Sequence, residues 1–191
     1  MTTTKTTKNT NKAMEHAVET HWVKDVGAPA ASAIVDMVAA LRCDYDHLEE
    51  LRDAREGYAG EDDETEYADD AKRNSAWAGA NPDDAEALAE LEAAAGECAS
   101  EDDARERIQE DPLSIQVRSG WHDIGADADD EEFEILLTTG GPAVRIVGDL
   151  DNGQPSRPRL QVQDWDKSWT EYFDIDGDAL EAYCSVFCFE H

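Results

Sequence analysis

The spacing of apolar residues changes character near residue 112. Upstream, Ile34, Val38, Leu41, Tyr45, Leu48 and Leu51 recur at steps of three and four. That spacing predicts one amphipathic helix over about 30–55, with Asp36, Asp44, Glu49, Glu50 and Asp53 on its opposite face. At 1.5 Å per residue such a helix would be about 40 Å long. Gly57 and Gly60 are its expected end. Residues 1–11, mostly Thr, Lys and Asn, predict a disordered tail. A short helix is expected over about 13–23, followed by a break at Gly27 and Pro29. Asn81-Pro82 supplies an N-cap and a first helical position for a segment bearing Leu88 and Leu91, closed by Gly96. Ser100 opens a further helix with an acid at its third position, and Asp111-Pro112 stops it.

Downstream the period becomes two. Leu113, Ile115 and Val117 alternate with polar residues, as in a half-buried strand. Residues 132–139 and 142–150 read as two more strands joined by Gly140-Gly141, and 159–165 as a fourth after Asp151-Asn152-Gly153. The segment 176–189 predicts a C-terminal helix with Leu180, Tyr183, Val186 and Phe187 toward the sheet. The expected fold class is α+β: a helical N-terminal half (one long helix plus shorter acidic ones), then an antiparallel meander of about four strands and a last helix. The expected organisation is a tail over 1–11, an acidic helical region over 12–111, and a sheet with its helix over 112–191, packed as one unit.

Charge sharpens this picture. The 191 residues carry 46 acids against 16 bases, a formal net charge of −30. Residues 1–43 are nearly neutral, whereas 44–111 hold 25 acids and 6 bases. A direct nucleic-acid binder is excluded, because phosphate is gripped by basic surface. No apolar stretch approaches the roughly 20 residues of a membrane span, and the first residues lack the apolar core of a signal peptide. The expectation is therefore a cytoplasmic protein with reduced thiols.

Candidate chemistry is sparse. Cys184 and Cys188 share a helix face, but Cys43, Cys98 and the histidines lie outside metal-ligand spacing, so no metal or cofactor is expected. His122 beside Trp121 is placed as a surface turn residue, since no nucleophile motif accompanies it. The Asp-rich 174–181 has its glycine too early for a calcium loop, which makes Asp176 or Asp178 a helix cap. Gly140-Gly141-Pro142 lacks the lysine and spacing of a phosphate loop. Trp121, Trp165 and Trp169 are expected together near strand ends, in core or interface packing, because acids flank them. No enzyme is announced.

The wording DPLSIQVRSGW, EFEILLTTGGPAVRIVGDLD and QVQDWDKSWTEYF resembles a widespread group of acidic proteins in bacteriophages and bacterial mobile elements. The resemblance covers roughly 28–56 and 82–190, and 61–75 departs most from the group's usual form. It implies a setting, the bacterial cytoplasm under a phage or plasmid, and no chemistry.

Salt adaptation would spread acidity evenly. Here the N-terminal residues are neutral, and EDDETE and ADDEEFE are local concentrations. The expected function is a DNA-mimic inhibitor of the anti-restriction or anti-CRISPR type. Its partner would be a basic nucleic-acid-binding host protein. Duplex DNA carries one charge per about 1.7 Å, so thirty charges correspond to roughly 50 Å of it. The carboxylates expected to act collectively are Glu49, Glu50, Glu61, Asp62, Asp63, Glu64, Glu66, Asp69, Asp70, Asp83, Asp84, Asp129, Asp130, Glu131 and Glu132. The alternative is a non-enzymatic phage or mobile-element adaptor that binds a protein by apolar contact. A homodimer is compatible with either.

Overall fold

The computed structural model describes residues 4–59, 70–121, 123–124 and 130–189, with side chains described from His21 onward and, in the second strand, from Glu131. Among the described residues, six helices and a five-stranded antiparallel sheet make an α+β fold, helices first, strands next and a helix last. The chain forms two compact units, one of residues 36–106 and one of 1–35 with 107–191.

Helix α1 (Thr4–Leu41) begins within the expected tail and runs through Gly27 and Pro29 without a break. Once the following residues are helical, each added residue costs no new nucleus. An interior proline costs about 3 kcal/mol. Gly27, Ala31 and Ile34 are buried on one side while Pro29 stays exposed, so continuous packing offsets that loss. Gly27 is required at its position, because the Tyr172 ring occupies the space a Cβ would take.

The helix expected over 30–55 is instead two helices, α1 and α2 (Tyr45–Glu56). Asp44 divides them. Its side chain accepts the His47 N–H at 3.0 Å and restarts the helix, satisfying a donor that an uninterrupted helix would bond internally. The apolar stripe continues across the break. In unit 36–106, Leu48 and Leu51 of α2 pack with Trp77 of α3 (Asp70–Ala80) and with Leu88 and Ala95 of α4 (Pro82–Ala95). A smaller cluster joins Ala40 and Cys98 to Ala104 of α5 (Glu101–Glu110). Asn81 occupies the expected cap position, but its side-chain amide donates to the Trp77 carbonyl, closing α3 rather than opening α4. Ser100 accepts the Asp103 N–H, the cap expected at the start of α5, and the Asp103 side chain reaches back to the N–H of Ala99 instead of that of Ser100.

In the other unit the strands are β1 (Ser114–Ser119), β2 (Asp130–Thr138), β3 (Ala143–Asp151), β4 (Gln154–Gln163) and β5 (Thr170–Glu171), in sequential antiparallel order. The β3–β4 loop is Asn152-Gly153, both with positive φ (52° and 75°), as a two-residue hairpin demands. It starts β4 five residues earlier than apolar alternation alone predicts. Pro155 and Pro158 are tolerated there because β5 pairs only with Gln161 and Val162 of β4. Phe133, Ile135, Val144, Ile146, Leu160 and Val162 fill one sheet face. Over it lies α6 (Gly177–Cys184), capped by Asp176, which accepts the Asp178 N–H at 2.9 Å. The expected C-terminal helix stops early. Val186 and Phe187 bond back three residues, and Phe189 is buried against Phe133 with ring centroids 4.9 Å apart, leaving Phe187 half-buried.

A Cβ at Gly148 would stand 2.5 Å from the Phe133 ring and 2.9 Å from the Ser156 carbonyl oxygen. Gly148→Ala is expected to destabilise this unit by about 1–3 kcal/mol, read as a lower urea midpoint with unchanged slope.

The tryptophans do not gather. Trp121 follows β1, while Trp165 lies at the other end of the sheet against Gly141 of the β2–β3 turn. Both are exposed, at 107% and 83%, which removes them from any core. Trp169 alone is packed, beneath the Arg145 guanidinium. Successive strands run in opposite directions, so ends of β1 and β4 fall on opposite sides, a fact that flanking residues do not reveal.

Candidate functional site

Helix α2 turns Leu48 and Leu51 inward, and the same geometry turns Asp46, Glu49, Glu50, Asp53 and Glu56 out. They stand at three- and four-residue steps along a helix of about 18 Å. On α4, Asp83, Glu86 and Glu90 are exposed opposite Leu88, and Asp84 is exposed in the first turn. On α5, Glu101, Asp102, Asp103 and Glu106 are exposed. Residues 36–106 carry 24 acids and 6 bases. The bases are already engaged. Arg52 and Arg55 share Glu92 at 3.5 and 3.3 Å, Arg73 holds Asp70 at 2.9 Å, and Arg105 holds Glu101 at 2.8 Å. Arg42 and Lys72 have interactions of their own. Four arginines thus occupy three carboxylates, and the other described carboxylates of α2, α4 and α5 are exposed.

The expected residues fall as follows. Glu49 and Glu50 lie on the outward face of α2, with Glu50 3.6 Å from the His47 ring. Asp70 is tied to Arg73. Asp83 and Asp84 occupy the first turn of α4, where the helix dipole favours carboxylates. The packed sides of α2 and α4 share one core, and these exposed carboxylates are not part of it. Glu131 is exposed, but Glu132 is bonded to Arg118 across the β1–β2 pair and does not belong to the surplus. That bond holds the Glu132 carboxyl below the usual range and pushes the Arg118 guanidinium up. Glu61, Asp62, Asp63, Glu64, Glu66, Asp69, Asp129 and His122 lie outside the described residues, as does the Asp130 side chain.

A second surface escaped the sequence reading. The sheet face opposite its core holds a recess of about 370 Å³. Three guanidiniums line it, from Arg118, Arg145 and Arg159, together with Glu132, Glu134, Gln116 and Gln161. Register makes it. Arg118 pairs with Glu132, Val147 with Arg159, and Arg145 with Gln161, all on the outward side of the pleat. Arg145 is fixed by Glu134 at 2.5 Å, by the Gln161 side-chain oxygen at 2.8 and 3.0 Å, and by the Trp169 ring 4.1 Å below it. Each arginine sits at a polar place in a strand pattern, so strand register was the only signal that could have found them.

Two buried titratable groups of this unit, Tyr183 and Cys184, stand on α6. Tyr183 is fully buried and its hydroxyl donates to Asp111 at 2.5 Å, tying α6 to the α5–β1 junction; burial and that carboxylate push the phenol far up. Burial pushes the Cys184 thiol up to about 12. At pH 8 iodoacetamide is expected to label the exposed Cys188 and spare Cys184, as peptide mapping would report. From pH 9 to 12 the unfolded chain ionises Cys184 while the folded chain does not, so stability present below pH 9 falls through that window. Cys184→Ala should flatten the fall in urea titrations.

Among the described residues, no group of three His, Cys, Asp or Glu could hold a metal ion, and no single helix is long and apolar enough to cross a membrane. Comparison with protein-family models, curated proteins and solved structures gives no match.

Proposed function

We propose that the protein is an acidic decoy that occupies the nucleic-acid-binding cleft of a host defence or DNA-processing protein, in the bacterial cytoplasm and in the service of a phage or other mobile element. The observation that carries this reading is the partition of charge. The described carboxylates of 36–106 outnumber its bases and lie on exposed helix faces, whereas on the sheet's outer face Glu132, Glu134 and Asp149 each pair with an arginine, Arg118, Arg145 and Arg157. Evenly distributed acidity for solubility would have no reason to spare that face. Carboxylates spaced along helices attract a basic cleft at long range, giving fast, salt-sensitive association.

Immobilised protein is expected to capture its target from bacterial lysate at low salt and to release it to duplex DNA. At about 1 M salt, where screening leaves about 3 Å of reach, capture should fail. Capture that withstands both salt and duplex supports the adaptor reading instead. That second reading is favoured by the exposed apolar side chains of Trp121, Ile124, Trp165 and Phe173.

A further inference from the structure

We propose that the recess on the outer face of the sheet binds a small monoanionic oxyanion, a carboxylate or a phosphodiester-type phosphate, through Arg159 and Arg145. The site is distinct from the acidic helix faces and does not rest on the decoy reading.

Scarce positive charge is concentrated here. Residues 112–191 contain five basic side chains against 17 acidic ones, and three of the five line this one recess. Its lining carries three guanidiniums and two carboxylates, a local excess of one positive charge in a chain of net −30. An ordinary salt-bridge ladder would pair them off.

The three guanidiniums are held differently. Arg118 is committed to Glu132 and Arg145 to Glu134. Arg159 makes no ion pair or hydrogen bond among the described residues, although it lines the recess. Its charge is felt at Glu132 without contact. Arg145 is the reverse case. Three of its N–H groups go to Glu134 and Gln161, and Trp169 fixes the plane. A guanidinium has five N–H donors, so two are left over on a group that is already immobile. Holding it costs an incoming ligand no further ordering. An available guanidinium beside a fixed one, above the apolar Val147, is suited to a planar or tetrahedral oxyanion with a small apolar substituent.

Size and charge limit the ligand. A recess of about 370 Å³ lies at the small end of ligand sites. Glu132 and Glu134 remain in the lining, and the chain's overall field opposes polyanions, which favours a single negative charge.

The experiment follows the arginine Nε–H resonances of the intact protein during separate additions of sodium acetate and sodium dimethyl phosphate at fixed ionic strength. Arg159 and Arg145 are expected to shift saturably, while Arg157, which pairs with Asp149 and does not line the recess, stays put. Arg159→Gln should weaken the response about tenfold or more. Because Arg159 anchors nothing among the described residues, that variant should keep the native spectrum elsewhere. Saturation by one probe alone identifies the carboxylate or the phosphate as the ligand's chemistry. Linear, unsaturable shifts, equal shifts at Arg157, or an undiminished response in Arg159→Gln would overturn the proposal and leave a charge-paired sheet surface.

Discussion

Glu49→Lys, Glu50→Lys and Asp53→Lys introduced together should slow capture of the duplex-displaceable target by about 10- to 1,000-fold, the range over which electrostatic steering acts. The three residues share the exposed face of α2, opposite Leu48 and Leu51, so the exchange leaves the packed side untouched. It turns three negative charges into three positive ones within about one and a half helical turns. Thermal unfolding should stay at or above the wild-type temperature, since the unit's self-repulsion is reduced. Association kinetics at low salt provide the measurement. A stably folded variant that associates at the wild-type rate would remove α2 from the interface. The same exchange at Glu61, Asp62, Asp63 and Glu64 asks the question of the densest acidic run.

Trp77→Ala should cost about 3–5 kcal/mol, the range for truncating a buried large aromatic. Trp77 is the one large side chain that α3 buries, and it stands with Leu48, Leu51 and Leu88 at the centre of unit 36–106. Whole domains are stable by only about 5–15 kcal/mol. The variant should therefore lose helical circular dichroism at markedly lower urea than the parent. Trp77→Phe, which keeps an aromatic ring, should lose much less. A Trp77→Ala midpoint equal to wild type would mean that α3 does not contribute to the stability of the unit.

The differences between sequence and structure share a cause. Asn152-Gly153, Ser100 with Asp103, Asp176 and Asp111-Pro112 were legible because each acts within a few residues of itself. Pro29 and Asp44 were misread by the same local rules. They break at Pro29 a helix that packing carries through, and they run one helix across Asp44, which restarts it. Glu132 reads as an available anion because its neighbours in sequence are acids, while its neighbour in space is Arg118. The arginine recess had no sequence signature. Its three arginines are 14 to 41 positions apart and meet only through strand register.

By itself the sequence determined the order of helical and strand regions, the hairpin turns of the sheet, and the size and uneven distribution of its negative charge. These are sums or short-range preferences, set by a residue and its near neighbours. Only the tertiary structure decided which carboxylates are neutralised, where α1 ends, and which cations converge. Those outcomes depend on distances between residues remote in the chain, and pairing and packing fix such distances.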